Sequence, residues 1–146
     1  MKKQILILFV SLLSATTFAQ TAKHSNVKDK LAIQGYVAVA YFESSKAIEG
    51  KKEITSEYKG AVYQFSSESN KVLFLKNPDY YLPQFGGFCA YGMSEGYEAP
   101  VKPEAFTIVE NKLYLNYNLK VKEMWSKEQA VRIQKAAVNW EKIQKE

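Results

Sequence analysis

The chain has 146 residues and a formal net charge of +5, with 47% apolar and 24% charged residues. That length gives one domain with a proper core rather than two, and the composition is globular rather than disordered. One cysteine and one histidine exclude a disulfide framework, a zinc finger of cysteines and histidines, and an internal Cys-x-x-Cys redox pair.

Residues 1–19 have the pattern of a secretory signal peptide. Lys2 and Lys3 supply the positive start, Ile5 to Leu13 the apolar run, and Thr17 and Ala19 the small residues before a cut at Gln20. The run is shorter than the roughly 18 apolar residues that span a bilayer, and no cysteine near the cut offers a lipid anchor. The expected product is exported, periplasmic or secreted after cleavage near Ala19, with no stable membrane anchor. Without Lys2 and Lys3, 18 basic side chains face 15 acidic ones, a net of +3. The lysines are spread among glutamates in no block, so nucleic acid is not an expected partner.

Residues 20–30 are polar, contain the lone His24, and read as a flexible lead-in to a domain over 31–146. Val37 to Phe42 (VAVAYF) is a continuous apolar run that suits a buried strand. Residues 53–65 form the best hairpin pattern. A Lys59-Gly60 loop places Tyr58 opposite Ala61, Ser56 opposite Tyr63 and Ile54 opposite Phe65. Ser66-Ser67 caps a short helix through Leu75, which Pro78 ends, and Pro78 to Leu82 adds a turn.

Residues 83–103 hold four of the seven glycines and three of the four prolines, together with Phe85, Phe88, Cys89 and Tyr91. A loop this long and this apolar is expected to be ordered and functional or structurally specific. A second hairpin over 106–116, turning at Glu110-Asn111, puts Phe106, Ile108, Leu113 and Leu115 on one face. Asn118 starts a helix carrying Val121, Met124 and Trp125. Ser126 and Gln129 resemble a capping box for a last helix, whose packing face is Ala130, Ile133, Ala137 and Trp140. The sum is α+β: a small single domain of two β-hairpins with short helices and a C-terminal helix.

Few side chains here carry chemistry. Cys89 as a thiolate is a nucleophile or a soft-metal ligand, and Met93 four residues on is a second soft donor suited to a copper ion such as Cu(I). Cys89 as a small buried hydrophobe is the blander reading. His24 in the lead-in leaves Cys–His or Ser–His catalysis without a base in the domain, and the glutamates form no evident pair. A catalytic role is therefore not the leading expectation. Ten tyrosines and eight phenylalanines either fill the core or line a pocket with hydroxyls.

Four phrases together resemble the stand-alone exported proteins of the YHS-domain family: LAIQGY with VAYF (31–42), YKGAVYQFSS (58–67), FLKNPDYYLPQFGGFCAYG (74–92) and PEAFTIVENKLYLNYN (103–118). Trp125 and Asn139-Trp140 fit as well. The resemblance implies a small α+β domain with a link to metal handling. The family's Tyr-His-Ser place reads Tyr63-Gln64-Phe65-Ser66-Ser67 here, and Val37-Ala38 stands where Asp-Pro is usual after Gly-Tyr. A tetrahedral zinc site is therefore out of reach, whereas a low-coordinate copper site needs only Cys89, Met93 and Met124 to meet. The leading expectations are a soft metal ion or small ligand near the 83–100 loop, and a metal-free interaction module with Cys89 in the core; an enzyme that uses Cys89 is the third.

Overall fold

A computed structural model describes residues 23–146. The signal-peptide pattern over 1–19 lies outside the described residues. Four strands make one sheet and two make another, with six α-helices among them, so the domain is α+β.

The larger sheet is assembled from both ends of its segment. Strands β1 (Val27–Lys28) and β2 (Leu31–Ala32) pair antiparallel, β2 runs parallel to β4 (Ala61–Phe65), and β3 (Lys51–Tyr58) closes the order β1-β2-β4-β3. The β3–β4 turn has positive φ at Lys59 and Gly60, the two-residue hairpin geometry that matches strand twist. Tyr58 faces Ala61 and Ser56 faces Tyr63, as the alternation predicts. Further along, the ladder shifts between Lys51 and Thr55, and Phe65 pairs with Lys51 rather than Ile54. The irregularity lies between Lys51 and Thr55, away from the turn, where alternation carries no information about an extra residue.

The run 37–42 is a helix, not a strand: α1 spans Ala38–Glu43. Val37, Ala38, Val39, Ala40 and Tyr41 are all buried, so an element enclosed on every side shows no periodicity by which to tell helix from strand. Helix α2 (Glu68–Lys76) opens on Ser67, whose hydroxyl accepts from the Asn70 amide, and α3 (Pro78–Tyr81) begins with proline at its first position. The 83–103 segment is ordered and carries a tight 3-10 turn at Phe85–Gly87, then α4 (Ala90–Ser94).

Strands β5 (Lys102–Val109) and β6 (Lys112–Asn116) form the second hairpin in the anticipated register, with Phe106 opposite Leu115 and Ile108 opposite Leu113. Its turn also has positive φ, at Glu110 and Asn111. β6 is a partition. Leu113 and Leu115 face one apolar cluster with Val37, Tyr41, Phe65 and Phe74, while Tyr114 faces another with Met93 and Trp125.

Helix α5 (Leu119–Lys127) is capped by Asn118, which accepts from the Val121 amide, and buries Trp125 completely. Ser126 does not open the last helix. It sits inside α5 with its hydroxyl donating to the Lys122 carbonyl, and α6 (Gln129–Ile143) starts without a side-chain cap. The packed face of α6 is also displaced from expectation: Arg132, Ile133, Ala136, Asn139 and Trp140 face inward, while Ala130 and Ala137 are exposed. Two polar residues on that face hid it from an apolar periodicity. Arg132 donates to Ser94 Oγ and Glu95 Oε1 and stacks on Tyr91 at 3.9 Å, and Asn139 donates to the Met93 carbonyl.

Candidate functional site

Two features flank the 83–101 segment, and they differ in kind. The first is the cysteine. Cys89 is 1% exposed and starts α4, and its Sγ accepts from the amides of Tyr117 at 3.2 Å and Gly92 at 3.5 Å. The thiol in turn donates to Asn116 Oδ1 at 3.6 Å, and the same oxygen accepts from the Tyr91 amide at 3.1 Å. The sulfur thus satisfies buried backbone donors that the loop would otherwise leave orphaned. Asn116 is itself fully buried, and its Nδ2 has no hydrogen-bond partner among the described residues.

The soft donors anticipated from sequence are dispersed. Cys89 belongs to the cluster below the larger sheet, Met93 to the cluster around Trp125, and Met124 stands 41% exposed on α5. Among the described residues no three His, Cys, Asp or Glu side chains gather as a metal set. The Cys89 sulfur is enclosed and already accepts from two backbone amides.

The second feature is a cavity of about 180 Å³ on the other side of the same loop. Pro83, Gly86 and Gly87 line it together with Tyr58, Ala61 and Tyr63 of the first hairpin and Trp140 of α6. Residues 24–27, the stretch expected to be a loose lead-in, line it too. Those residues are tied down. The Asn26 amide donates to the Gly86 carbonyl at 2.9 Å, Asn26 Nδ2 donates to the Gly87 carbonyl, and His24 Nδ1 pairs with Glu98 at 2.6 Å. His24 is therefore part of the domain.

Gly86 explains how strap and helix meet. It has φ +61°, and a Cβ there would lie 2.7 Å from the His24 carbonyl oxygen and 2.9 Å from the Trp140 ring. Only glycine admits both neighbours.

Most of the lining is apolar. Tyr63 is an exception: its hydroxyl makes no hydrogen bond among the described residues, and burial, with Tyr58 and Asp79 nearby, pushes its ionisation upward. At the rim, Tyr58 and Lys59 both donate to Asp79, at 3.0 and 2.8 Å, which holds the Asp79 carboxyl below its usual range. The composition of this cavity was not visible in the sequence. Its one advance sign was the placement of Gly86-Gly87 in an apolar loop.

The YHS domain model matches residues 39–85. Over those residues the chain is similar to a YHS domain. The matched stretch runs from α1 through the first hairpin, α2 and α3 to the 3-10 turn, so it supplies Tyr58, Ala61, Tyr63 and Pro83 to the cavity and ends before Cys89. In this YHS-like domain the Tyr63–Ser67 stretch is the strand-to-helix turn itself, with Gln64 wedged so closely that a Cβ on Gly50 would come within 2.5 Å of it. No curated protein and no solved structure matches the chain.

Proposed function

We propose that this YHS-like protein is an exported, non-enzymatic domain that takes a small, largely apolar ligand in the cavity beside the 83–101 loop. The observation that carries the reading is the cavity itself: about 180 Å³ with more apolar than polar lining, the polar part including Asn26, Gln34, Tyr63 and Gln144. A cavity of roughly 150 Å³ with apolar walls accommodates a benzene-sized molecule, so a single ring or a short chain is the right scale. The engaged sulfur supports a core role for Cys89 in preference to a copper site made with Met93. Export rests on the residue pattern of 1–19; sequencing the N-terminus of protein recovered from the cell envelope or medium should give Gln20 first.

Titration with toluene, followed by amide NMR, tests the ligand reading. Shifts concentrated at Ala61, Gly86 and Gly87 are the expected result. No saturable shifts, or shifts scattered over the surface, would remove it.

A further inference from the structure

The polar side chains around the cavity divide by burial. Gln34, Lys59 and Gln144 are solvent-exposed and the others are half-buried, Tyr63 excepted. Tyr63 is buried, and its hydroxyl has no hydrogen-bond partner among the described residues. The side-chain atoms there that are both unpartnered and sealed from solvent are His24 Nε2, Thr107 Oγ1, Asn116 Nδ2, Trp125 Nε1 and Arg132 Nε; the Tyr63 oxygen is not one of them. A buried phenol whose oxygen is neither paired nor sealed opens onto the space that its residue lines.

The lining offers no free charge. Its two basic groups are already engaged by carboxylates, Lys59 Nζ by Asp79 at 2.8 Å and His24 Nδ1 by Glu98 at 2.6 Å, and no aspartate or glutamate lines the cavity. Burial, then Tyr58 and Asp79, oppose ionisation of the Tyr63 phenol, and the same surroundings oppose an anion set against its hydroxyl. What this group offers is a neutral O–H donor.

Resting on the ligand reading above, we infer that the ligand is a small uncharged molecule with a carbonyl-type oxygen that accepts from the Tyr63 hydroxyl, its apolar part occupying the rest of the cavity. A carboxylate leaves water without a free cation to meet, and an ammonium without a free carboxylate. An alcohol accepts from Tyr63 but brings a proton of its own, for which no other buried polar side chain lines the cavity. A carbonyl satisfies the phenol and adds no donor. The cavity volume limits the apolar part to about one ring.

The experiment titrates the purified protein and its Tyr63→Phe variant with acetophenone, with α-methylstyrene, which has the same shape but no acceptor, and with benzoate. The Tyr63 ring lies against Phe74 at 4.7 Å and its hydroxyl has no partner among the described residues to lose, so Tyr63→Phe leaves the core intact. Acetophenone should bind Tyr63→Phe about fivefold more weakly than the native protein, the size of one neutral hydrogen bond, while α-methylstyrene binds both alike. Benzoate should bind the native protein at least about tenfold more weakly than acetophenone does. With the carbonyl carbon labelled, the 13C signal of bound acetophenone should move downfield of its position in a hydrocarbon solvent, and return in Tyr63→Phe. Binding of acetophenone and α-methylstyrene without any downfield shift, or with no loss of acetophenone affinity in Tyr63→Phe, would overturn the carbonyl inference and leave the cavity reading standing. Tighter binding of benzoate than of acetophenone would overturn it as well. Failure of all three compounds to bind would remove both.

Discussion

The two sides of the 83–101 segment are opposites. On one side Cys89 looks reactive by residue type, yet its sulfur is enclosed and hydrogen-bonded to Tyr117, Gly92 and Asn116. On the other side no residue stands out by type, yet the walls leave about 180 Å³ between them and, among the described residues, a phenol without a hydrogen-bond partner. The contrast separates chemical capacity from availability. A thiol whose lone pairs are taken by backbone amides serves the loop's conformation. An ordinary tyrosine facing a space is the one placed to meet another molecule.

The sharpest way to break this contrast is to remove the ring shared by the hairpin and the core. Phe74 is fully buried and its ring lies against those of Tyr58, Tyr63, Phe65 and Tyr81. Phe74→Ala should cost about 3–5 kcal/mol in urea denaturation and loosen the cavity wall that Tyr63 forms. Next in size is the cysteine side. Cys89→Ala leaves the Tyr117 and Gly92 amides buried without an acceptor, for a loss of about 1–3 kcal/mol, and Cys89→Ser should recover part of it. Toluene binding should survive in both variants. In the native protein a thiol reagent should modify Cys89 no faster than the protein opens, and rapid modification would contradict its structural role.

Arg132→Met removes the donors to Ser94 and Glu95 and the stack on Tyr91, which join α4 to α6. A loss of about 1–2 kcal/mol is expected by thermal denaturation, with Cys89 still protected. The smallest effect is at alkaline pH. Tyr36 donates to Glu104 at 2.9 Å and lies 3.3 Å from Glu49; the hydrogen bond to Glu104, then burial and the carboxylate charges, push its pKa up to about 12. The unfolded phenol loses its proton near pH 10, so between there and about pH 12 the unfolded state holds fewer protons than the native one. The stabilisation is full below pH 10 and is lost as pH rises through that window. Tyr36→Phe should flatten this part of the stability profile.

Much of the fold was legible because local rules fixed it. The two-residue turns set the hairpin registers near Lys59-Gly60 and Glu110-Asn111, and Ser67 and Asn118 cap the helices that follow them. Legibility ended where burial is complete or where polar residues point inward. The first case is α1, whose fully apolar run has no periodic signature. The second is α6, where Arg132 and Asn139 hold the packed face. At the site, residue type drew attention to Cys89 and Met93, but these two residues of one helical turn belong to two different apolar clusters. The strap of residues 24–27 reads as polar and loose because its attachments are hydrogen bonds from Asn26 to glycine carbonyls and from His24 to Glu98, which leave no trace in hydropathy.

Gly86 has a further consequence for the topology of the chain. The strap at its start and Trp140 near its end both rest on this one glycine, so the first and last described elements share a corner. The domain is nearly a closed loop of polypeptide. A circular permutant that joins the two ends by a short linker and opens the chain beside the exposed Lys59 should keep the core. It would also convert one wall of the cavity from a continuous hairpin into two free ends.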